Sequence, residues 1–211
     1  MAAAHTLPPA TTAPTLRRRT LLCGALAALT GLPLRTSIAQ RRQATPQPEA
    51  HPVPAALLDP GADHPERALA LYNPQTGEGV QTVYWVRGHY LEPALQAFTY
   101  LLRDTRVNAV MPIDPALLDL LSAVQTQLET DAPLYILSGY RAPATNARLR
   151  RVNRRAARQS LHMAGKAVDI RLPGRPAAQV RRAAAALQVG GVGYYPTAQF
   201  VHVDTGRVRF W

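Results

Sequence analysis

The chain has 211 residues, of which 47% are apolar, and a formal net charge of +11. That length suits one domain plus appendages, and the apolar content is enough for a core. There is one cysteine, Cys23, so a disulfide framework and a multi-thiolate metal site are both excluded; any metal is held by nitrogen and oxygen.

The N-terminus reads as an export signal over residues 1–39. Arg17, Arg18 and Arg19 precede a mildly apolar run, LLCGALAALTGLPL, and Ser37-Ile38-Ala39 supplies a small-x-small cleavage site. Adjacent arginines ahead of a weak apolar segment are similar to a twin-arginine signal, in the register Arg18-Arg19-Thr20-Leu21-Leu22. Arg17 and Leu21 depart from the usual residues of that pattern. The run is short and broken by Gly24, Gly31 and Pro33, which excludes a span of about 20 apolar residues. Leu22 before Cys23 is too large for a lipoprotein cleavage site. Removing 1–39, with its four arginines and no acids, leaves a charge of +7. Such a balance permits contact with nucleic acid or with anionic wall polymers, and an exported protein meets little nucleic acid. The arginine-rich stretch from Arg148 to Arg158 is read as a solvated face.

Residues 40–66, rich in Pro, Gln and Ala, are expected to form a flexible tether, and 67–211 the folded domain. Two strands follow, joined by the turn residues Asn73 to Gly77. Leu91, Leu95, Phe98, Leu101 and Leu102 fall at helical spacing within Leu91 to Arg103. Asp114 as N-cap and Pro115 at the first helical position start a second helix that runs to about Glu129. Leu134 to Leu137 is a short buried strand stopping at Ser138-Gly139-Tyr140-Arg141. Gly165 to Leu172 is a strand, Pro176 to Leu187 an alanine-rich helix, and the final segment a hairpin containing Phe200 to Asp204. Helices come first and strands dominate later, which favours an α+β fold.

Alternation along a strand sorts the chemistry. Val168, Ile170 and Leu172 share a core face, and Ala167, Asp169 and Arg171 share the other. Gly165 allows a tight turn that brings His162 over that second face. Val201 and Val203 form a core pair, so His202 and Asp204 lie on the open face. His162, Asp169 and His202 are therefore placed to meet. Two histidines and a carboxylate suit zinc with a fourth position left for water, the equipment for hydrolysing an amide. Spacing alone leaves three alternatives open: His162 as a loop residue, Asp169 paired with Arg171, and His202 as a core histidine. His51, His64 and His89 have no comparable context, and His5 lies in the signal.

The blocks S-x-H-x-x-G-x-A-x-D (Ser160 to Asp169), SGYR (Ser138 to Arg141), GGVGYYP, FVHVDTG and the final Trp211 occur in an order that resembles the zinc peptidases of the D-Ala-D-Ala carboxypeptidase and Hedgehog-like fold. More narrowly, the segment from Leu69 to Trp211 is similar to the YcbK-type murein endopeptidases, including a TGE turn and an RD-x-R segment, Arg103 to Arg106. The resemblance implies an antiparallel sheet with helices packed on one side. It implies that His162, Asp169 and His202 bind Zn2+, and that the protein is a periplasmic hydrolase cutting peptide crosslinks in peptidoglycan. Arg141 is implied to meet a substrate carboxylate or a developing oxyanion, the alternative being a structural salt bridge. Ser138 and Tyr195 are read as substrate-binding residues of the cleft, against the alternatives of a turn residue and of hairpin packing. One departure stands out. Many relatives in the wider superfamily place a Glu or His shortly before the last ligand, whereas Gln199, Phe200 and Val201 stand here. Asp204 is then the candidate proton acceptor, or equally a carboxylate that orients His202. The alternative function is a zinc-containing module of the same fold that binds the wall without cutting it.

Overall fold

A computed structural model describes residues 66–154 and 156–211. The expected signal at 1–39, the tether up to residue 65, Cys23, His5, His51 and His64 lie outside the described residues.

Strands β1 (Glu66–Asn73) and β2 (Glu78–Val86) pair antiparallel across the predicted turn. Asn73 Oδ1 accepts the Gln75 amide at 2.9 Å, and Gly77 takes the left-handed φ of 74° that closes the turn. β3 (His89–Tyr90) extends β2. Helix α1 (Glu92–Leu101) starts one residue later than the periodicity suggests, because Leu91 is its extended N-cap and is exposed. Helix α2 (Pro115–Gln127) is capped as expected, Asp114 accepting the Ala116 amide at 3.0 Å. Then come β4 (Leu134–Ser138), α3 (Pro143–Val152), a 3-10 turn (Leu161–Ala164), β5 (Ala167–Arg171), α4 (Ala177–Ala186), β6 (Gly191–Tyr195), β7 (Phe200–Asp204) and β8 (Arg209–Phe210). The arginine-rich stretch is divided: its first part belongs to α3, and the described residues after Asn153 are irregular.

The result is a mixed α/β domain with one eight-stranded sheet in the order β3-β2-β1-β4-β5-β7-β6-β8. The expectation of an antiparallel sheet needs correcting. β1 and β4 run parallel, as do β6 and β8. The long connection from β1 to β4 carries a hairpin and two helices, so the chain can return in the same direction. β8 follows β7, which has itself reversed from β6, so two reversals align β8 with β6.

The core joins one face of this sheet to the helices, with Phe98, Leu117, Leu121, Val180 and Ala184 in the same cluster as Leu71, Ile136, Ile170 and Val201. Val168, Ile170, Val201 and Val203 are fully buried. Slipping β5 and β7 by one residue would move all four out of the apolar core onto the polar site face, at up to about 1.5–3 kcal/mol each. That total rivals the whole stability of a typical domain, roughly 5–15 kcal/mol. The register is thereby fixed, and with it the opposite face: Asp169 pairs with His202, Ser138 with Asp169, and Gly193 with His202. One row across β4, β5, β7 and β6 therefore carries the site. Between Ile136 and Ser138 the β4–β5 register shifts by a bulge.

A second polar assembly ties α2 to the first hairpin. Asp119 is buried in α2 and accepts from Tyr84 at 2.9 Å, from Tyr90 and from Arg67 at 3.2 Å. Burial, with the Asp119 charge beside it, pushes the Tyr84 hydroxyl far above its ordinary pKa and holds it as a donor.

Candidate metal centre

His162 projects from the 3-10 turn that precedes β5. Gly165 ends that turn at φ 68°, and a Cβ there would meet the Pro112 carbonyl oxygen at 2.5 Å, so only glycine lets the turn seat. The His162 ring is buried, and its Nδ1 lies 2.8 Å from the Gly139 carbonyl oxygen. A carbonyl only accepts, so Nδ1 carries the proton and Nε2 turns its lone pair inward. His202 is set the opposite way round. Its Nε2 lies 2.9 Å from Asp204 Oδ2, which leaves Nδ1 facing Asp169 Oδ1 at 2.9 Å.

Three donor atoms consequently converge. His162 Nε2 is 3.2 Å from His202 Nδ1 and 3.4 Å from Asp169 Oδ1. Ligands bound tetrahedrally at about 2.0–2.2 Å from one ion sit roughly 3.3–3.6 Å apart; the triangle's sides of 3.4, 3.2 and 2.9 Å match that spacing on one edge and are a few tenths of an ångström or less short of it on the other two. The donor set fits as well: both outer ring nitrogens are engaged by acceptors, and three lone pairs aimed at one point repel unless a cation lies between them. Among the described residues this is the one group of three or more His, Asp or Glu side chains so arranged.

The same carboxylates also attract protons onto the imidazoles, which a cation at this point would displace. Burial works against ionising Asp169, but the charge and hydrogen bonds of His162 and His202 outweigh it and hold the carboxyl well below its ordinary range. Burial depresses His202, yet its bonds to Asp169 and Asp204 bring it above the ordinary imidazole value.

The alternatives left open by spacing now separate. Arg171 does not pair with Asp169; its guanidinium donates to the Ala198 and Gln199 carbonyls at 2.8 and 2.9 Å. His202 is buried, but in the ligand row rather than the apolar core. His89 lies exposed on β3.

The other expected residues fall at graded distances. Arg141 donates to Ser138 Oγ at 3.3 Å and stands 3.6 Å from Asp169 Oδ2. Burial lowers its pKa, and the charge of Asp169 opposes that. Tyr195 is held off the centre itself: it stacks on Phe200 at 4.3 Å, and its hydroxyl accepts from Trp211 Nε1 at 3.1 Å. Asp204 differs from its expected place on an open face. It is fully buried, Oδ1 accepting from the Gly191 and Gly206 amides and Arg209, and Oδ2 from Arg209 at 2.6 Å as well as His202.

Sequence reasoning missed three participants. Trp211 brings its ring within 5.2 Å of the His202 ring, Arg209 clamps Asp204, and Gly139 supplies the carbonyl that sets the His162 tautomer. The i, i+2 spacing of Arg209 and Trp211 was the available signal for the first two.

Two histidines and a carboxylate so placed suit a divalent metal with one position left open. The family model described as "Peptidoglycan L,D-endopeptidase MepK" matches residues 62–211. The chain belongs to that family. It is 39% identical over 145 residues to the peptidoglycan L,D-endopeptidase MepK of Escherichia coli K12, a match covering 69% of this chain and 80% of that protein. It is 41% identical over 146 residues to the protein named "Probable peptidoglycan L,D-endopeptidase MepK" of Haemophilus influenzae, covering 69% and 78% respectively.

Proposed function

We propose that this protein is a zinc endopeptidase of the periplasm that hydrolyses peptide crosslinks in peptidoglycan. Its relatives' names point to the L,D bond among the crosslink types. The observation that carries the reading is the convergence of His162 Nε2, Asp169 Oδ1 and His202 Nδ1, with each imidazole's other nitrogen held by an acceptor. These three atoms would hold the ion. Bound there, zinc polarises a carbonyl and lowers the pKa of water toward about 7.

The protein's own groups do the rest. Arg141 faces the ligand row and is placed to meet negative charge on the substrate, a carboxylate or the developing oxyanion. Ser138 steadies that guanidinium. Asp204 holds His202 in the tautomer that keeps Nδ1 free; both of its oxygens are already occupied, which supports the orienting role over that of proton acceptor. Trp211 and Tyr195 make an aromatic rim beside His202. The mixed sheet and the order of the ligand segments support a Hedgehog and D-Ala-D-Ala peptidase-like fold. The arginine pair at Arg18-Arg19 supports export by the twin-arginine route.

Purified peptidoglycan incubated with the protein and analysed by mass spectrometry tests the reading. New ends at L,D crosslinks that vanish with chelator, and with His162→Ala or His202→Ala, are expected. Retention on the wall with no new ends supports a binding module and overturns the enzyme.

A further inference from the structure

The RD-x-R segment has no part in the centre described above, yet the fold brings it there. Arg103 is occupied: it makes a two-pronged ion pair with Glu78 at 2.8 and 3.1 Å and lies over the Tyr100 ring. Asp104 is buried and divides its carboxylate between two loops. Oδ1 accepts the Arg106 amide at 3.1 Å, and Oδ2 accepts the Ala142 amide at 2.9 Å. A second tie runs from the Tyr140 amide to the Leu102 carbonyl at 2.7 Å. Gly139 makes that approach possible, since a Cβ there would stand 2.4 Å from the Leu102 oxygen. The turn bearing Arg106 is thereby fixed against the loop bearing Arg141. Arg106, Ser138 and Gly139 line a single cleft, and Gly139 is also the carbonyl partner of His162.

The charges in this cleft do not cancel. Arg106 is exposed and forms no ion pair among the described residues. Asp104 contributes negative charge, but its oxygens are turned to backbone amides. Arg141 has Asp169 as its carboxylate neighbour, at 3.6 Å, and Asp169 is a ligand of the centre. With that carboxylate committed to a cation, Arg106 in the cleft and Arg141, which reaches the Ser138 hydroxyl of its lining at 3.3 Å, would both lack a counter-charge.

We propose that Arg106 and Arg141 form a two-guanidinium subsite that selects wall peptides carrying a free carboxylate beside the amide to be cut. This rests on the endopeptidase reading and adds to it a substrate class and a second arginine. Guanidinium pairs grip carboxylates through charge-assisted hydrogen bonds, whereas a neutral carboxamide offers a weaker acceptor and no charge.

The test compares two synthetic crosslinked peptides, identical except that the carboxylate next to the scissile amide is free in one and a carboxamide in the other. Zinc-loaded full-length protein is assayed with both. Wild type is expected to favour the acid by about 10- to 100-fold in kcat/KM, the range of a charge-assisted contact. Arg106→Gln is expected to raise KM for the acid about tenfold while kcat changes less than about twofold, so that the preference collapses; Arg106→Lys restores part of it. Zinc content and melting temperature are measured alongside, to show that the variants are folded and loaded. A wild type with no preference, or an Arg106→Gln whose preference equals wild type, overturns the subsite. If wild type cuts neither peptide, the endopeptidase reading falls. Equilibrium binding of the same two peptides to wild type and Arg106→Gln then decides the subsite by the same criterion.

Discussion

Replacing Asp204 by Asn separates the two roles open to this carboxylate. Five donors converge on its two oxygens: the Gly191 and Gly206 amides and Arg209 on Oδ1, His202 Nε2 and Arg209 on Oδ2. An amide offers one oxygen. Placed to satisfy the three donors at Oδ1, it presents an NH2 group to His202 Nε2. The imidazole relieves that donor–donor clash by moving its proton to Nδ1, the atom that faces Asp169. Metal affinity is then expected to fall about 10- to 100-fold, the usual loss for such a supporting contact. At about 1.4 kcal/mol per tenfold, that is roughly 1.4–2.8 kcal/mol. The metal-free protein is expected to lose a further ~1–3 kcal/mol from the buried donors left unmet. Zinc competition against a fluorescent chelator measures the first quantity and thermal melting the second. Wild-type affinity together with a collapsed kcat at full zinc occupancy would refute the orienting role and make Asp204 the proton acceptor.

Gly139→Ala forces a Cβ to within 2.4 Å of the Leu102 carbonyl oxygen and 2.9 Å of its Cα, both of which are backbone. Overpacking of this kind costs about 1–3 kcal/mol, and the Gly139 carbonyl is pushed away from His162, so melting temperature and zinc affinity should fall together. Asp119→Asn weakens three hydrogen bonds far along the sheet from the ligand row. It is expected to lower stability by roughly 2–3 kcal/mol in urea titrations while zinc stoichiometry stays at the wild-type level. Stripping zinc with a chelator should lower the melting temperature. At a zinc concentration 1,000 times the dissociation constant, the bound ion contributes about 4 kcal/mol, worth some 8–16 °C in a domain of this size.

Much of the centre was legible because strand periodicity is strict. Val168, Ile170, Val201 and Val203 could only face the core, so Asp169 and His202 had to face away from it, and Gly165 announced the turn that returns His162. The parallel pairings of β4 and β8 were not legible, since partner choice depends on where the long connections lead and leaves no local pattern. The burial of Asp204 was missed for a related reason. Alternation assigns a face, but β8 and the segment around Leu161 and Gly206 cover that face at this point, and neither is visible from β7 alone. Arg171 shows the limit of pairing by proximity along a strand. Its long side chain reaches across to two carbonyls of the β6–β7 turn instead of to Asp169 two residues away.

The bulge in β4 bears on how the family can vary. Two residues, Leu137 and Ser138, follow Ile136 where regular pairing would place one before Asp169 is reached. Deleting either would regularise the ladder and rotate everything from Gly139 to Arg141 onto the wrong side, detaching the carbonyl that sets the His162 proton and the guanidinium beside Asp169. Homologous chains should therefore keep the length of this corner, and natural indels should fall instead in the exposed turns at either end of the sheet.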